Sequence, residues 1–158
     1  MLTTESVCLH SARPADVRLL EAFIGAYTRD GSLLPRSRAD LLRRLGDFRL
    51  AWAGRRLVGC GALQRVDANL AEVRSVAVDP AWRHRGIGRQ IVRALLDDAA
   101  GRGVASVFCL TRRLEFFTHL GFEVVPRERF PHKVWDDCRL CPRLLLCDET
   151  AMQRAVLP

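Results

Sequence analysis

The chain has 158 residues, 49% of them hydrophobic, and a formal net charge of +7 at pH 7. That is enough apolar material for one buried core and too little length for two ordinary domains, so residues 1–158 are read as a single domain. No apolar run approaches the ~20 residues of a membrane span, no signal or transit pattern surrounds "SVCLHSA", and 24 of the 25 basic residues are arginines scattered along the chain. Membrane association and nucleic-acid binding are therefore not expected, and the expected compartment is the cytoplasm.

Strand and helix patterns alternate, which gives an α/β class. "SVCLHSA" (6–12) reads as a strand, and "PADVRLLEAFIGAY" (14–27) as a helix with Val17, Leu20, Ile24 and Tyr27 on one face. Ser37 can cap a second helix in "SRADLLRRL", with Asp40 near its N-terminus. Residues 48–66 read as a hairpin turning at Gly54-Arg55-Arg56, and "AEVRSVAV" (71–78) as a further strand. From Gly86 onward Ile87, Ile91, Val92, Leu95, Leu96 and Ala99 recur at helical spacing until Gly101 and Gly103. "ASVFCLT" (105–111) is a buried type of strand, "LEFFTHL" (114–120) a short helix ended by Gly121, and "FEVV" the start of another strand. Three prolines and three of the six cysteines make 126–149 an irregular segment before a last strand in "TAMQRAVL".

The stretch "RHRGIGRQIV" (83–92) follows a strand and opens a helix. Such a turn aims unpaired backbone N–H groups and the positive end of the helix dipole at one point, and that point suits an anion. Gly86 and Gly88 permit close approach, and Arg83, Arg85 and Arg89 add charge, so a pyrophosphate is the natural occupant. A Rossmann turn is excluded, because its third glycine would be Ile91, and a P-loop lacks its Lys-Ser/Thr.

Arg83-His84-Arg85-Gly86-Ile87-Gly88 resembles the R/Q-x-x-G-x-G/A signature of the GNAT superfamily of N-acetyltransferases, and "FFTHLGFE" (116–123) resembles its second motif. The resemblance implies a mixed, mostly antiparallel, splayed sheet of six to seven strands with four helices. Acetyl-coenzyme A would enter between strands 71–78 and 105–111. Its pantetheine arm would meet the backbone of Val76, Ala77 and Val78, and its pyrophosphate would sit on residues 83–89. A narrower resemblance runs through "ARPADV", "DGSLLPRS", "AEVRSVAV" and "FPHKVWDDCRLCPRLLLCDETAM", segments similar to the short stand-alone N-acetylglutamate synthases of arginine biosynthesis. Acetylation of the α-amine of L-glutamate is the reaction this implies. Another small amine, such as glutamine or a toxic analogue, is the alternative acceptor. A different alternative is a non-catalytic acetyl-coenzyme A sensor, or the partner of an amino-acid kinase-like subunit.

An amine attacks a thioester only as the free base, so the site needs a proton acceptor and an oxyanion donor. Glu72 is the expected base, its pKa raised by burial, and the Val76 N–H is the oxyanion donor that the resemblance implies. Glu72 and Arg74 share a face, so Arg74 can either meet a substrate carboxylate or tune the base. Many superfamily members carry a tyrosine as acid where this chain has Phe117, and the sole tyrosine, Tyr27, is expected to lie elsewhere. Arg36 is carried over from the resemblance as a further substrate residue. The lone lysine, Lys133, stands among 24 arginines and is expected to bind a substrate carboxylate as a compact point charge.

Cys138, Cys141 and Cys147, with His132 upstream, admit three readings: a zinc site, a disulfide, or reduced thiols packing a loop. A cytoplasmic chain favours plain thiols, and no metal is expected. Oligomeric state stays open, a homodimer included.

Overall fold

The computed structural model describes residues 5–130 and 148–156. Its strands are β1 (Val7–Ser11), β2 (Phe48–Ala53), β3 (Arg56–Arg65), β4 (Leu70–Val78), β5 (Ser106–Thr111), β6 (Glu123–Val124) and β7 (Thr150–Ala155). Among the described residues the α-helices are α1 (Val17–Thr28), α2 (Arg38–Arg43), α3 (Ile87–Gly101) and α4 (Leu114–His119). The strands form one sheet in the order β1-β2-β3-β4-β5-β7-β6. Every pairing is antiparallel except β4 with β5. The mixed, mostly antiparallel sheet and the four helices agree with the sequence reading.

Each face of the sheet carries its own core. On one face Ile91, Val92, Leu95 and Ala99 of α3 pack with Val58, Leu63, Val73 and Val107. On the other, Leu20 and Ile24 of α1 and Leu41 of α2 pack with Leu50, Cys60 and Ala62. Burial on both faces explains why β3 reads as the near-continuous apolar run "LVGCGAL" rather than an alternating one. Gly59 and Gly61 let α3 sit close. A Cβ at Gly59 would come 2.9 Å from Ile91, and one at Gly61 2.6 Å from it.

The helix ends follow the local chemistry. Ser37 accepts a hydrogen bond from the Asp40 N–H at 3.1 Å and starts α2. α3 stops where Gly103 takes φ +72°, and the chain leaves α4 through Gly121 at φ +84°. The segment expected to begin the first helix is instead a 3-10 turn at Pro14–Asp16 that leads into α1. "FEVV" yields only the two-residue β6. No helix among the described residues is long and apolar enough to cross a membrane.

Candidate functional site

β4 and β5 pair only from Leu70–Glu72 to Ser106–Phe108. Beyond Glu72 the strands part, because β4 is bulged. Ser75 takes φ +54°, and the β3–β4 register shifts between Cys60 and Ala62. The thiol of Cys60 holds the bulge through the Ser75 carbonyl at 3.3 Å. The strands open onto a cleft of about 700 Å³. Its walls are β4 from Val73 to Val78, the end of β5, the start of α3, the aromatic pair of α4 and the end of α1.

Register decides which backbone groups face the opening. The Asp79 N–H donates to the Val58 carbonyl at 2.8 Å, and Ala77 stands opposite Cys60. In an antiparallel ladder the intervening residues turn their peptide groups away, so Val76 and Val78 face the cleft and Ala77 faces β3. Of the three backbone positions expected to serve a ligand arm, two are therefore presented. The Ala77 peptide is committed to the sheet.

The turn below forms as its composition requires. Asp79 Oδ1 accepts from the Ala81 N–H at 2.9 Å and caps a 3-10 turn over Pro80–Trp82. His84 and Gly86 then take φ +64° and +79°, and α3 begins with no side-chain cap. The first ladder bond runs from Gln90 N–H to Gly86 O at 3.0 Å, so the N–H groups of Ile87, Gly88 and Arg89 have no partner inside the helix. A Cβ on Gly88 would meet the Phe116 ring at 3.4 Å, so the bare backbone keeps this corner open. Arg83, His84 and Arg89 line the cleft together with Gly86, Ile87 and Gly88. Arg85 does not join them. Its guanidinium lies over the Trp82 ring, 4.5 Å from the centroid.

At the inner end of the cleft, Arg74 Nη1 donates to Gln64 Oε1 at 2.7 Å and stands 3.6 Å from Glu72 Oε2. Both residues are buried, with Glu72 4% and Arg74 9% exposed. Arg74 is part of the cleft lining and Glu72 is not, and their 3.6 Å approach agrees with the shared face read from the strand period. Cys109 also lines the cleft. Burial, with the charges of Glu72 and Glu149 added, pushes its thiol far above the ordinary range and so favours the neutral thiol, the weaker nucleophile. Phe117 is buried edge-on against Phe116 and Phe122 and offers no proton to the cleft.

Two residues that the sequence reading missed stand at this site. Tyr27, expected elsewhere, lines the cleft, and its hydroxyl donates to the Val78 carbonyl at 3.0 Å. Its place on the apolar face of α1 hid it, although a half-buried phenol needs a polar partner and that need was the available signal. Arg112, from the loop after β5, donates to the Gly31 carbonyl at 3.0 Å and pairs with Asp148 at 2.9 Å. Arg36, by contrast, pairs with Asp40 at 2.9 Å and is not part of the cleft lining. Lys133, His132, Cys138, Cys141 and Cys147 lie outside the described residues. Among the described residues no cluster of His, Cys, Asp and Glu has metal-binding geometry.

Residues 44–124, just over half of the chain, match the Acetyltransferase (GNAT) domain family. The chain belongs to the GNAT acetyltransferase family. An uncharacterized N-acetyltransferase of Chlorobaculum tepidum is 35% identical over 149 residues, covering 94% of this chain and 96% of the relative. The amino-acid acetyltransferase of Mycobacterium tuberculosis is 34% identical over 135 residues, covering 81% of this chain and 75% of that protein. Among solved structures, N-acetylglutamate synthase from Neisseria gonorrhoeae, complexed with coenzyme A and N-acetyl-glutamate, superimposes with a TM-score of 0.85 at 26% identity. That match takes in 97% of this chain and 36% of the synthase chain, so the present GNAT chain spans about a third of the gonococcal protein.

Proposed function

We propose that this GNAT chain transfers the acetyl group of acetyl-coenzyme A to the α-amine of L-glutamate by direct attack. The observation that carries the reading is the notch between β4 and β5, with the uncapped start of α3 at one end and the Arg74–Glu72 pair at the other. One end suits a pyrophosphate and the other an acidic amine, and the two are joined by the outward-facing peptide groups of Val76 and Val78. The names of the relatives support the same class of reaction.

In this reading the free N–H groups at the start of α3 hold the pyrophosphate, with Arg83 and Arg89 beside them. The Val76 N–H receives the thioester oxygen as it becomes an oxyanion. Glu72 takes the proton from the substrate ammonium through water, since its carboxylate is buried and is not part of the cleft lining. Arg74 meets a carboxylate of the substrate, and Lys133 is assigned to the same ligand. The departing thiolate has a conjugate acid near the ~8.5 of a free thiol and leaves without an acid from position 117. A protonated, buried Cys109 supports direct transfer over an acyl-cysteine route.

The test is a thiol-release assay with acetyl-coenzyme A against the twenty amino acids. L-glutamate should give the highest kcat/KM, and a profile led by another amine would replace the substrate while keeping the reaction. No thiol release with any of them, beside measurable coenzyme A binding, would favour a sensor over an enzyme.

A further inference from the structure

We propose that Tyr27 is a positioning residue that couples the acceptor side of the cleft to its coenzyme side. The inference rests on the reading of the cleft as an acetyl-coenzyme A site. Tyr27 is the penultimate residue of α1, and its two polar groups bond to two different segments of the cleft lining. Its hydroxyl donates to the Val78 carbonyl at 3.0 Å, at the end of the strand edge that β5 has abandoned. Arg83 Nε donates to the same oxygen at 3.3 Å. A carbonyl has two lone pairs, so that oxygen is saturated, and Val78 offers a ligand its N–H alone.

The carbonyl of Tyr27 works in the other direction. It accepts the N–H of Ser32 at 3.1 Å and of Leu33 at 3.2 Å, and both of these residues line the cleft. Arg112 tethers the same loop from the β5 side through the Gly31 carbonyl at 3.0 Å. The ring itself is seated against Phe23, centroids 5.3 Å apart. Burial pushes the phenol above its ordinary value, with Arg83 opposing, so the hydroxyl keeps its proton and remains a donor through neutral pH. One residue thus joins the Ser32–Leu33 loop to the strand edge at Val78, two parts of one cleft lining. A ligand that fixes one lowers the entropic cost of fixing the other.

Tyr27→Phe keeps the ring and removes the link. Calorimetric titration of coenzyme A into the wild type, with and without saturating L-glutamate, should show glutamate tightening the affinity at least about fivefold. In Tyr27→Phe that ratio should fall toward one, while the melting temperature changes little and coenzyme A still binds. A general structural role would weaken both ligands and leave their ratio intact. The proposal is overturned if the variant keeps the wild-type ratio, if the wild type shows none, or if the variant loses coenzyme A binding outright. Wild-type protein that fails to bind coenzyme A at all would remove the acetyltransferase reading itself, whereas binding without coupling removes only the link through Tyr27.

Discussion

Arg74 lines the cleft with its Nη1 3.6 Å from the Glu72 carboxylate and bonded to Gln64 Oε1 at 2.7 Å. Both side chains are buried, and of the two only Arg74 belongs to the cleft lining.

Glu72→Gln keeps the shape and removes the proton acceptor. Turnover at neutral pH should fall about 10²-fold or more. The deficit should shrink as pH rises, because the substrate amine then deprotonates without help. Steady-state rates across mildly acidic to alkaline pH check this, and a wild-type profile would remove Glu72 from the reaction.

Gly86 precedes α3 at φ +79°, and a Cβ there meets nothing within 4 Å. The objection to a side chain is therefore conformational. Gly86→Val should cost about 1–2 kcal/mol by forcing a β-branched residue out of the left-handed region, and should tilt the N–H groups that follow. Coenzyme A affinity should drop at least about tenfold, consistent with loss of one anion contact. Unchanged affinity with a lowered melting temperature would make the turn structural only.

Asp40 faces Arg36, Arg43 and Arg44, at 2.9, 3.3 and 3.4 Å. Burial pushes its carboxyl up, but the hydrogen bond and charge of Arg36, with the charges of Arg44 and Arg43, outweigh this and hold it below the ordinary value. A carboxyl depressed in the folded state contributes stability that is complete above its unfolded pKa of about 3.9 and is lost as pH falls through the folded pKa. Asp40→Asn should therefore destabilise the chain by on the order of 1 kcal/mol at neutral pH, with the difference vanishing in strong acid. Denaturant melts at several pH values measure it.

Lys133→Arg preserves charge and changes shape. If the lone lysine binds a substrate carboxylate, the KM for glutamate should rise severalfold with that for acetyl-coenzyme A nearly unchanged, and Lys133→Met should be worse. Normal glutamate dependence in Lys133→Arg would take it out of the site.

The elements with strong periods were legible in the sequence. The six apolar positions named for α3 are the ones buried on that helix, and the hairpin and the Ser37 cap fell where composition placed them. The bulge in β4 was not legible. Serine rarely adopts φ +54°, nothing in "AEVRSVAV" marks it, and the conformation is held by a contact from Cys60, fifteen residues away in sequence. Tyr27 and Arg112 escaped for a related reason. Their partners, Val78 and Gly31, lie 51 and 81 residues away, and local pattern carries no record of such approaches.

Three residue pairs are all that join β4 to β5, so the sheet is two panels, β1 to β4 and β5 with β7 and β6, meeting along a short seam. α3 lies across that seam as a splint. Its buried side chains share one cluster with Val58, Leu63 and Val73 of the first panel and Val107, Cys109 and Met152 of the second. The splint is seated by the missing side chains at Gly59 and Gly61, where a Cβ would press into Ile91. The spacing of the panels, and with it the width of the gap that must admit a ligand, is thus set on the opposite side of the sheet from α1. Gly61→Ala should lift the splint, cost about 1–3 kcal/mol, and loosen coenzyme A without removing a single contact to it.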